Sequence, residues 1–238
     1  MKAMILAAGE GTRLRPLTDT ISKVMVEIGG KPLLEHNINL AKSYGIRDLV
    51  INVYYQPNKI VDYFQDGNQF GVHIDYSKEK ELLGSAGGVK NVEEKLTEPF
   101  FLLYGDNFTN CNLASLLLAH QKSKAICTIA LFDIKKNKNS GIAGGRVLIN
   151  EDHSVRQFIE GGAAISDLVN AGVYVLDPKI FKYIPTGQKY DFGKDLFPQL
   201  LQNGITINTY QLGDKEYVFG CDTIECYEKT QTFFKKIK

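Results

Sequence analysis

The 238-residue chain has no tryptophan, three methionines, four cysteines and almost no net charge, with 28 Lys+Arg against 27 Asp+Glu. Each shortage excludes something. A net charge of +1 gives no global field toward nucleic acid or an anionic membrane, so neither is an expected partner. No apolar run reaches the roughly 20 residues of a spanning helix. The first residues lack the basic segment, apolar core and cleavage site of a secretory signal, so the expected compartment is the cytoplasm. Cys111, Cys127, Cys221 and Cys226 form no Cys-x-x-Cys pair, and His36, His73, His120 and His153 are scattered. That pattern argues against zinc and for reduced thiols. No Pro/Ser-rich linker, low-complexity tract or fixed-period repeat divides the sequence, so one domain over 1–238 is expected.

What is present is an ordinary folding composition, 44% hydrophobic and 23% charged, long enough to bury a sizeable core. The run Ala3-Met4-Ile5-Leu6 reads as a buried strand. It leads into Ala7-Ala8-Gly9-Glu10-Gly11-Thr12-Arg13-Leu14-Arg15-Pro16. Glycines let backbone approach a ligand closely. Successive N–H groups in such a loop form a concave anion site. Arg13 and Arg15 add fork-shaped cations suited to phosphate, and Lys23 follows one short loop later. The same stretch also reads as a plain tight turn. It is not a dinucleotide fingerprint, because Leu14 stands where the third glycine belongs. Nor is it a Walker A loop, since no Gly-Lys-Ser/Thr ends it.

Strand and helix signals alternate through the first half, as in a mainly parallel sheet covered on both faces. Helices are expected over Pro32–Tyr44, Asn58–Phe64 and Leu113–His120, and strands over Asp48–Val53, Val72–Tyr76 and Ala125–Phe132. Small residues in Glu81-Leu82-Leu83-Gly84-Ser85-Ala86-Gly87-Gly88 suggest a ligand-facing loop opening a helix from Val89 to Leu96, with Ser85 as a plain cap the alternative. Pro99 to Tyr104 reads as a central strand ending in Gly105-Asp106. A carboxylate at that end of a doubly wound sheet sits where ligands bind and suits Mg²⁺, although an Asx-turn would also place it there. The lysine-bearing stretch Asp133 to Gly141 reads as a solvated loop. Gly145–Ile149, Val155–Ile159 and Leu168–Leu176 read as antiparallel strands, Ile205–Gln211 and Glu216–Phe219 as further strands, and Asp222–Ile237 as a closing helix capped by Asp222 or Thr223.

Ala7 to Thr18, then Lys23, then Val26-Glu27-Ile28-Gly29-Gly30-Lys31-Pro32, closely resembles the signature of the sugar-nucleotide pyrophosphorylases, the sugar-1-phosphate nucleotidyltransferases. The resemblance spans almost the whole chain. It implies an α/β fold, a three-layer sandwich with a mixed, mostly parallel central sheet of Rossmann-like nucleotidyltransferase type. Residues 1–132 would be the nucleotide-binding half, and 133–238 the sugar-binding half and closing helix. It implies an enzyme making NDP-sugar and pyrophosphate from NTP and a sugar 1-phosphate, with Mg²⁺, for cell-surface polysaccharide or glycoconjugate synthesis. Leu6, Ala7, Ala8, Gly9, Gly11, Thr12, Arg13 and Lys23 would hold the phosphates, and Gly84, Ser85 and Gly87 the base and ribose. Arg13, Lys23 and Asp106 would be catalytic, Arg13 on the β/γ-phosphates and Lys23 on the α-phosphate. Asp106 would bind metal, and Glu160 and Asn170 the sugar hydroxyls. The stretch from Asp191 to Pro198 is similar to a family segment that caps a helix near the active site.

Two positions depart from the pattern. Many relatives carry Glu-Lys-Pro where this chain has Glu160-Gly161-Gly162, so the lysine for the sugar phosphate is missing; Arg146 or one of Lys135 to Lys138 would have to replace it. Many relatives also carry Trp-x-Asp-x-Gly-Thr, whose aspartate is the second metal ligand. Here Gly220 holds that place and Asp222 follows two residues later, as in some cytidylyltransferase-type relatives. Asp222 is therefore the expected second ligand, with a helix N-cap the rival role. The base stays open among GTP, CTP, UTP and dTTP. The departures also admit a nucleotide-binding subunit without turnover. An NAD(P) enzyme is disfavoured by the missing glycine. No appended domain is expected after the short C-terminus, and a homodimer is permitted.

Overall fold

The computed structural model describes residues 1–137, 140–141, 144–161 and 166–237. The first strand, β1 (Lys2–Leu6), is apolar on both faces because both are covered. Ala3 and Ile5 enter one core, Met4 the other. After the glycine loop, a two-residue ladder of β2 (Glu27–Ile28) and β3 (Lys31–Pro32) leads into α1 (Leu33–Ser43). Gly45, at φ +77°, stops that helix. Its N–H bonds the Lys42 carbonyl at 2.9 Å, and Ile46 N–H bonds the Ala41 carbonyl at 3.1 Å, the crossed pair of a Schellman motif. β4 (Asp48–Val53), α2 (Pro57–Phe64) and β5 (His73–Lys78) follow.

The strands expected over Asp48–Val53 and Val72–Tyr76 are thus present. The loop expected before Val89 is not. Residues 84–90 are themselves a helix, α3 (Gly84–Lys90), followed by a single 3₁₀ turn at Glu93–Lys95. Glycine's poor helix propensity is overridden by tertiary acceptors and close packing. The Tyr190 carbonyl accepts from both Ala86 and Gly87 at 2.9 Å. A Cβ on Gly87 would lie 2.6 Å from the Gln188 carbonyl oxygen, and one on Gly88 would lie 2.8 Å from Asn52 Nδ2.

β6 (Phe100–Tyr104) and β7 (Asn107–Thr109) bracket Gly105-Asp106. α4 (Leu113–Ser123) is capped by Asn112, whose side chain accepts from Ser115 N–H. Then come β8 (Cys127–Asp133), β9 (Arg146–Ile149), β10 (Val155–Ile159) and β11 (Leu168–Leu176). A π-turn at Phe192–Leu196 runs into α5 (Phe197–Gln202). β12 (Ile207–Gln211), β13 (Val218–Gly220) and α6 (Ile224–Ile237) complete the chain.

The central sheet is mixed. β6, β1, β4 and β5 run parallel, and β11 joins β6 antiparallel. β11 in turn carries the β9–β10 hairpin and β8, with β12 parallel to β8. The strands expected to be antiparallel are so. β1 lies between β4 and β6, so its carboxyl end is a switch point, where ligands bind in such sheets. A separate ladder, β7 with β13, stitches the C-terminal segment to the turn after β6. No helix among the described residues is long and apolar enough to cross a membrane. The cysteines are free, Cys111, Cys127 and Cys221 buried and Cys226 partly so.

Candidate active site

The turn after β6 is clamped from several sides. Gly105 N–H bonds the Leu6 carbonyl at 2.9 Å, tying it to β1. Asn37 of α1 donates Nδ2 to the carbonyls of Gly105 and Asn107, at 3.2 and 2.9 Å. Pairing of Gly220 with Asn107 brings in the segment after β13, where Cys221 N–H bonds the Asp106 carbonyl at 3.0 Å. Asp222 is thereby delivered to Asp106. Thr223, not Asp222, caps α6: its hydroxyl accepts from Cys226 N–H at 3.2 Å. The Asp222 carboxylate is left for the cleft.

Both carboxylates meet one ammonium. Lys23 Nζ lies 2.5 Å from Asp106 Oδ2 and is also bonded to Asp222 Oδ1. Burial alone would lower the Lys23 pKa, but the two carboxylates outweigh it and hold the ammonium well above the ordinary lysine value. Arg13 Nη2 reaches Asp222 Oδ1 at 3.2 Å, its side chain mostly in solvent. Gly11, at φ +66°, allows this arrangement, since a Cβ there would sit 2.9 Å from Lys23 Cβ.

Two hard carboxylates from different elements, converging on one cation, are a donor set Mg²⁺ accepts; it completes its shell with water and phosphate oxygens. Among the described residues no group of three or more His, Cys, Asp or Glu could form an all-protein cage. The fit is therefore to a metal shared with a phosphate ligand.

Two lobes open from this junction. One, of about 220 Å³, is lined by Leu6, Ala8, Gly9, Lys23, Gly84 and Ser85, all expected, together with Val24, Asn52 and Leu82. The other, of about 260 Å³, is lined by Arg13, Ser85, Asp106, Glu160, Asn170 and Asp222, again expected, together with Gly172, Asp191 and Lys194. Tyr104, Ser85, Asp106 and Asp191 belong to both. Ala7, Gly11, Thr12 and Gly87 line neither. Ala7 N–H is taken by Asn52 Oδ1 at 2.9 Å, and Gly87 is a packing glycine. The donors at the start of α3 are also engaged: Asp191 Oδ1 accepts from Ser85 N–H at 3.0 Å and from its hydroxyl at 3.2 Å. Ser85 lies inside the first turn and does not cap it.

A bulge in β11 aims Asn170 into the second lobe. The register with β8 shifts between Asn170 and Tyr174, and Gly172 stands at φ +66°. Asn170 Oδ1 accepts from Gly172 N–H at 3.1 Å. Glu160 opens on the same lobe. Partial desolvation raises its carboxyl pKa; Lys194 opposes the rise, and Asp191 and Asp222 add to it.

Among the described residues, none of the cations expected to replace the missing lysine lines the cleft. Lys135 pairs with Asp167 at 2.6 Å, Lys136 lies 3.9 Å from Asp133, and Arg146 donates to the Ser166 carbonyl at 3.3 Å. Lys138 and Gly162 lie outside the described residues. The cation that does line the second lobe there is Lys194, on the wall carrying Asp191. Its signal was a cation directly after a glycine in a motif segment. Gly193 lets that wall approach, since a Cβ there would meet Glu160 Oε2 at 2.4 Å.

Residues 2–216 match the model of a family described as nucleotidyl transferase. A UTP–glucose-1-phosphate uridylyltransferase of Synechocystis sp. is 38% identical over 86% of this chain and 56% of its own length. A mannose-1-phosphate guanylyltransferase of Mycobacterium tuberculosis is 33% identical over 85% and 56%. The chain thus spans little more than half the length of these relatives. A putative glucose-1-phosphate thymidylyltransferase from Bacillus anthracis, solved with sucrose, superposes with a TM-score of 0.87 at 20% identity, covering 100% of this chain and 96% of that one. That likeness establishes the three-layer fold, and the family match over most of the sequence establishes kinship: the chain belongs to the nucleotidyl transferase family.

Proposed function

We propose that the protein is a sugar-1-phosphate nucleotidyltransferase. An oxygen of the sugar phosphate attacks the α-phosphorus of an NTP, the bond to the bridging oxygen breaks, and pyrophosphate leaves. The observation that carries this reading is the meeting of Lys23, Asp106 and Asp222 at the junction of two lobes. An in-line exchange between two anions needs cations and metal-binding carboxylates at such a junction, and positioning with charge neutralisation is most of its catalysis.

In this reading the lobe beneath Gly9 takes the nucleoside triphosphate, and the lobe under Glu160 and Asn170 takes the sugar. Lys23 holds the α-phosphate, and Arg13 lies beside it for the triphosphate. Lys194 holds the sugar phosphate in place of the lysine that Gly161 lacks. Glu160 and Asn170 offer the paired acceptors and donors that sugar hydroxyls need. Bound at Asp106 and Asp222, Mg²⁺ would supply charge neutralisation between the two phosphates. The relatives named as uridylyl- and guanylyltransferases favour UTP and GTP for trial, with supply of activated sugar as the role.

The test is pyrophosphate release with Mg²⁺, each of GTP, UTP, CTP, ATP and dTTP being offered with a panel of sugar 1-phosphates. Release with one pairing assigns the base and the sugar together. Tight nucleotide binding with no release for any pairing would replace this reading by a non-catalytic nucleotide-binding role.

A further inference from the structure

Glu79 is a buried carboxylate that the proposed reaction leaves unused. It stands just after β5, where its N–H bonds the Val53 carbonyl at 2.9 Å and extends the ladder with β4. Each of its oxygens takes one neutral donor. Asn52 donates Nδ2 to Glu79 Oε1 at 2.6 Å, and Leu83 donates its backbone N–H to Oε2 at 3.0 Å. The Asn52 amide is engaged at its other end as well, since Oδ1 accepts from Ala7 N–H at 2.9 Å. Gly88 of α3 leaves room for the two side chains: a Cβ there would lie 2.8 Å from both Asn52 Nδ2 and Glu79 Oε1.

These bonds bridge the two walls of the first lobe. Ala7 stands between Leu6 and Ala8, which line the lobe at the end of β1. Leu83 stands between Leu82 and Gly84, which line it at the start of α3, the wall expected to meet the base and ribose. Asn52 lines the lobe from behind, and Glu79 lines neither lobe.

The chemistry of the bridge has one consistent sense. Its two ends are backbone N–H groups, so it must present an acceptor at each. An amide beside a carboxylate does this. The amide gives its oxygen to Ala7 and its NH₂ to the carboxylate, whose second oxygen is free for Leu83. Glutamine at position 79 breaks the match. Its oxygen can take Leu83 N–H or Asn52 Nδ2, and its own NH₂ then faces the other donor. Asn52 cannot answer by turning over, because its NH₂ would then face Ala7 N–H. A buried donor without an acceptor is costly, so the two walls would no longer be held at one spacing.

We infer that Glu79 is a positioning residue: through Asn52 and Leu83 it fixes the spacing of the two walls of the nucleotide lobe, and so sets NTP affinity and base selection without touching the nucleotide. The inference rests on the proposed function in assigning that lobe to the NTP.

The test uses Glu79→Gln, Asn52→Asp and the two together, all close to isosteric. Each single variant sets like groups against each other. The double variant restores every bond with the roles exchanged: the new carboxylate accepts from Ala7 N–H and from the new amide, whose oxygen takes Leu83 N–H. Binding of GTP, UTP, CTP, ATP and dTTP with Mg²⁺ is read by calorimetry, KM for both substrates by steady-state kinetics, and folding by thermal melts. Loss of a negative charge by itself would favour an anionic ligand. Glu79→Gln is expected instead to weaken binding of the preferred NTP about tenfold, the scale of one buried hydrogen bond lost with its donor unpaired. KM for the sugar 1-phosphate should stay within about twofold. The margin of the preferred NTP over the others should narrow in each single variant and return in the double one. That margin is the decisive readout, because a charge acting on the triphosphate is felt equally by all five. Unchanged NTP affinity and margin in Glu79→Gln overturns the inference, as do equal losses for both substrates or a margin that the double variant fails to restore. A wild type that binds an NTP but turns over no sugar 1-phosphate removes the proposed reaction, and the calorimetric arm still decides this inference. A wild type that binds no NTP overturns both.

Discussion

Lys23 and Asp222, from opposite ends of the sequence, are bonded to each other, and the same ammonium bonds Asp106. The lysine stands at the point where the two carboxylates converge. A divalent ion between them must therefore displace it, and an arriving α-phosphate gives the ammonium another partner. Free metal should bind weakly and metal with nucleotide well. Lys23→Met should strengthen Mn²⁺ binding in the absence of nucleotide roughly tenfold, about 1.4 kcal/mol, as read by the free-ion EPR signal. The same variant should lose at least roughly a hundredfold in turnover, the scale of removing one charge-stabilising group. Unchanged Mn²⁺ affinity would show that lysine and metal do not share the point.

Asp222 and Thr223 separate the two roles available to the start of α6. Thr223 provides the cap, while the Asp222 carboxylate faces the cleft and contacts Lys23 and Arg13. Asp222→Asn keeps nearly the same shape and should leave the melting temperature within a few degrees while lowering turnover at least about a hundredfold. Thr223→Ala should do the reverse, costing about 1 kcal/mol of stability with activity nearly intact. Full activity in Asp222→Asn would return Asp222 to a structural role and leave Asp106 as the sole metal carboxylate.

Lys194 has a narrower assignment, to the phosphate of the sugar. The lobe it faces also carries Glu160, Asp191, Asp106 and Asp222, so a dianionic substrate entering there meets a wall rich in negative charge. Lys194→Met should raise KM for the sugar 1-phosphate by about ten- to a hundredfold, as expected for losing a charged hydrogen bond. NTP binding measured by calorimetry should not change. Equal losses in both substrates would place Lys194 on the triphosphate instead.

The first half of this fold was legible because its signals are local. A buried parallel strand is a short apolar run, and Gly45, at φ +77°, ends the helix expected over Pro32–Tyr44. Asp106 was legible for the same reason, as a carboxylate at the end of the apolar run Phe100–Tyr104. Residues 84–88 misled because glycine-rich sequence usually marks a loop. Here a distant acceptor, the Tyr190 carbonyl, and close packing against Asn52 and Gln188 make a helix of it. Lys194 and Tyr104 escaped for a related reason. Nothing adjacent to either reveals that a bulge in β11 and a glycine at 193 fold them into one cleft. The expected substitutes for the missing lysine, Arg146 and Lys135, were cations of the right kind whose partners, Ser166 and Asp167, are fixed only by tertiary structure.

Acid should weaken the fold through two imidazoles. His36 Nε2 lies 2.9 Å from the Ile28 carbonyl, and its ring packs edge-on against Phe108 and Phe234. His120 is buried, with Nδ1 3.0 Å from Thr128 Oγ1. Burial lowers both pKa values. The Ile28 carbonyl and Glu35 partly oppose this at His36, Lys31 adds to it, and Asp177 opposes it at His120. As pH falls below the unfolded value of 6.5, the unfolded chain takes up protons that the folded one refuses. Stability is therefore complete above that pH and lost on acidification toward the lower folded values, by at most about 1.4 kcal/mol per pH unit for each imidazole. Glu160 works in the opposite sense, because its raised pKa lets the folded state bind a proton first. The measurement is the urea midpoint between pH 7.5 and 5.0 in a Glu160→Gln background, which removes that contribution. The midpoint should fall with pH there. Adding His36→Gln and His120→Gln should lower stability at pH 7.5 and flatten the dependence, whereas an unchanged slope would assign the acid sensitivity to other groups.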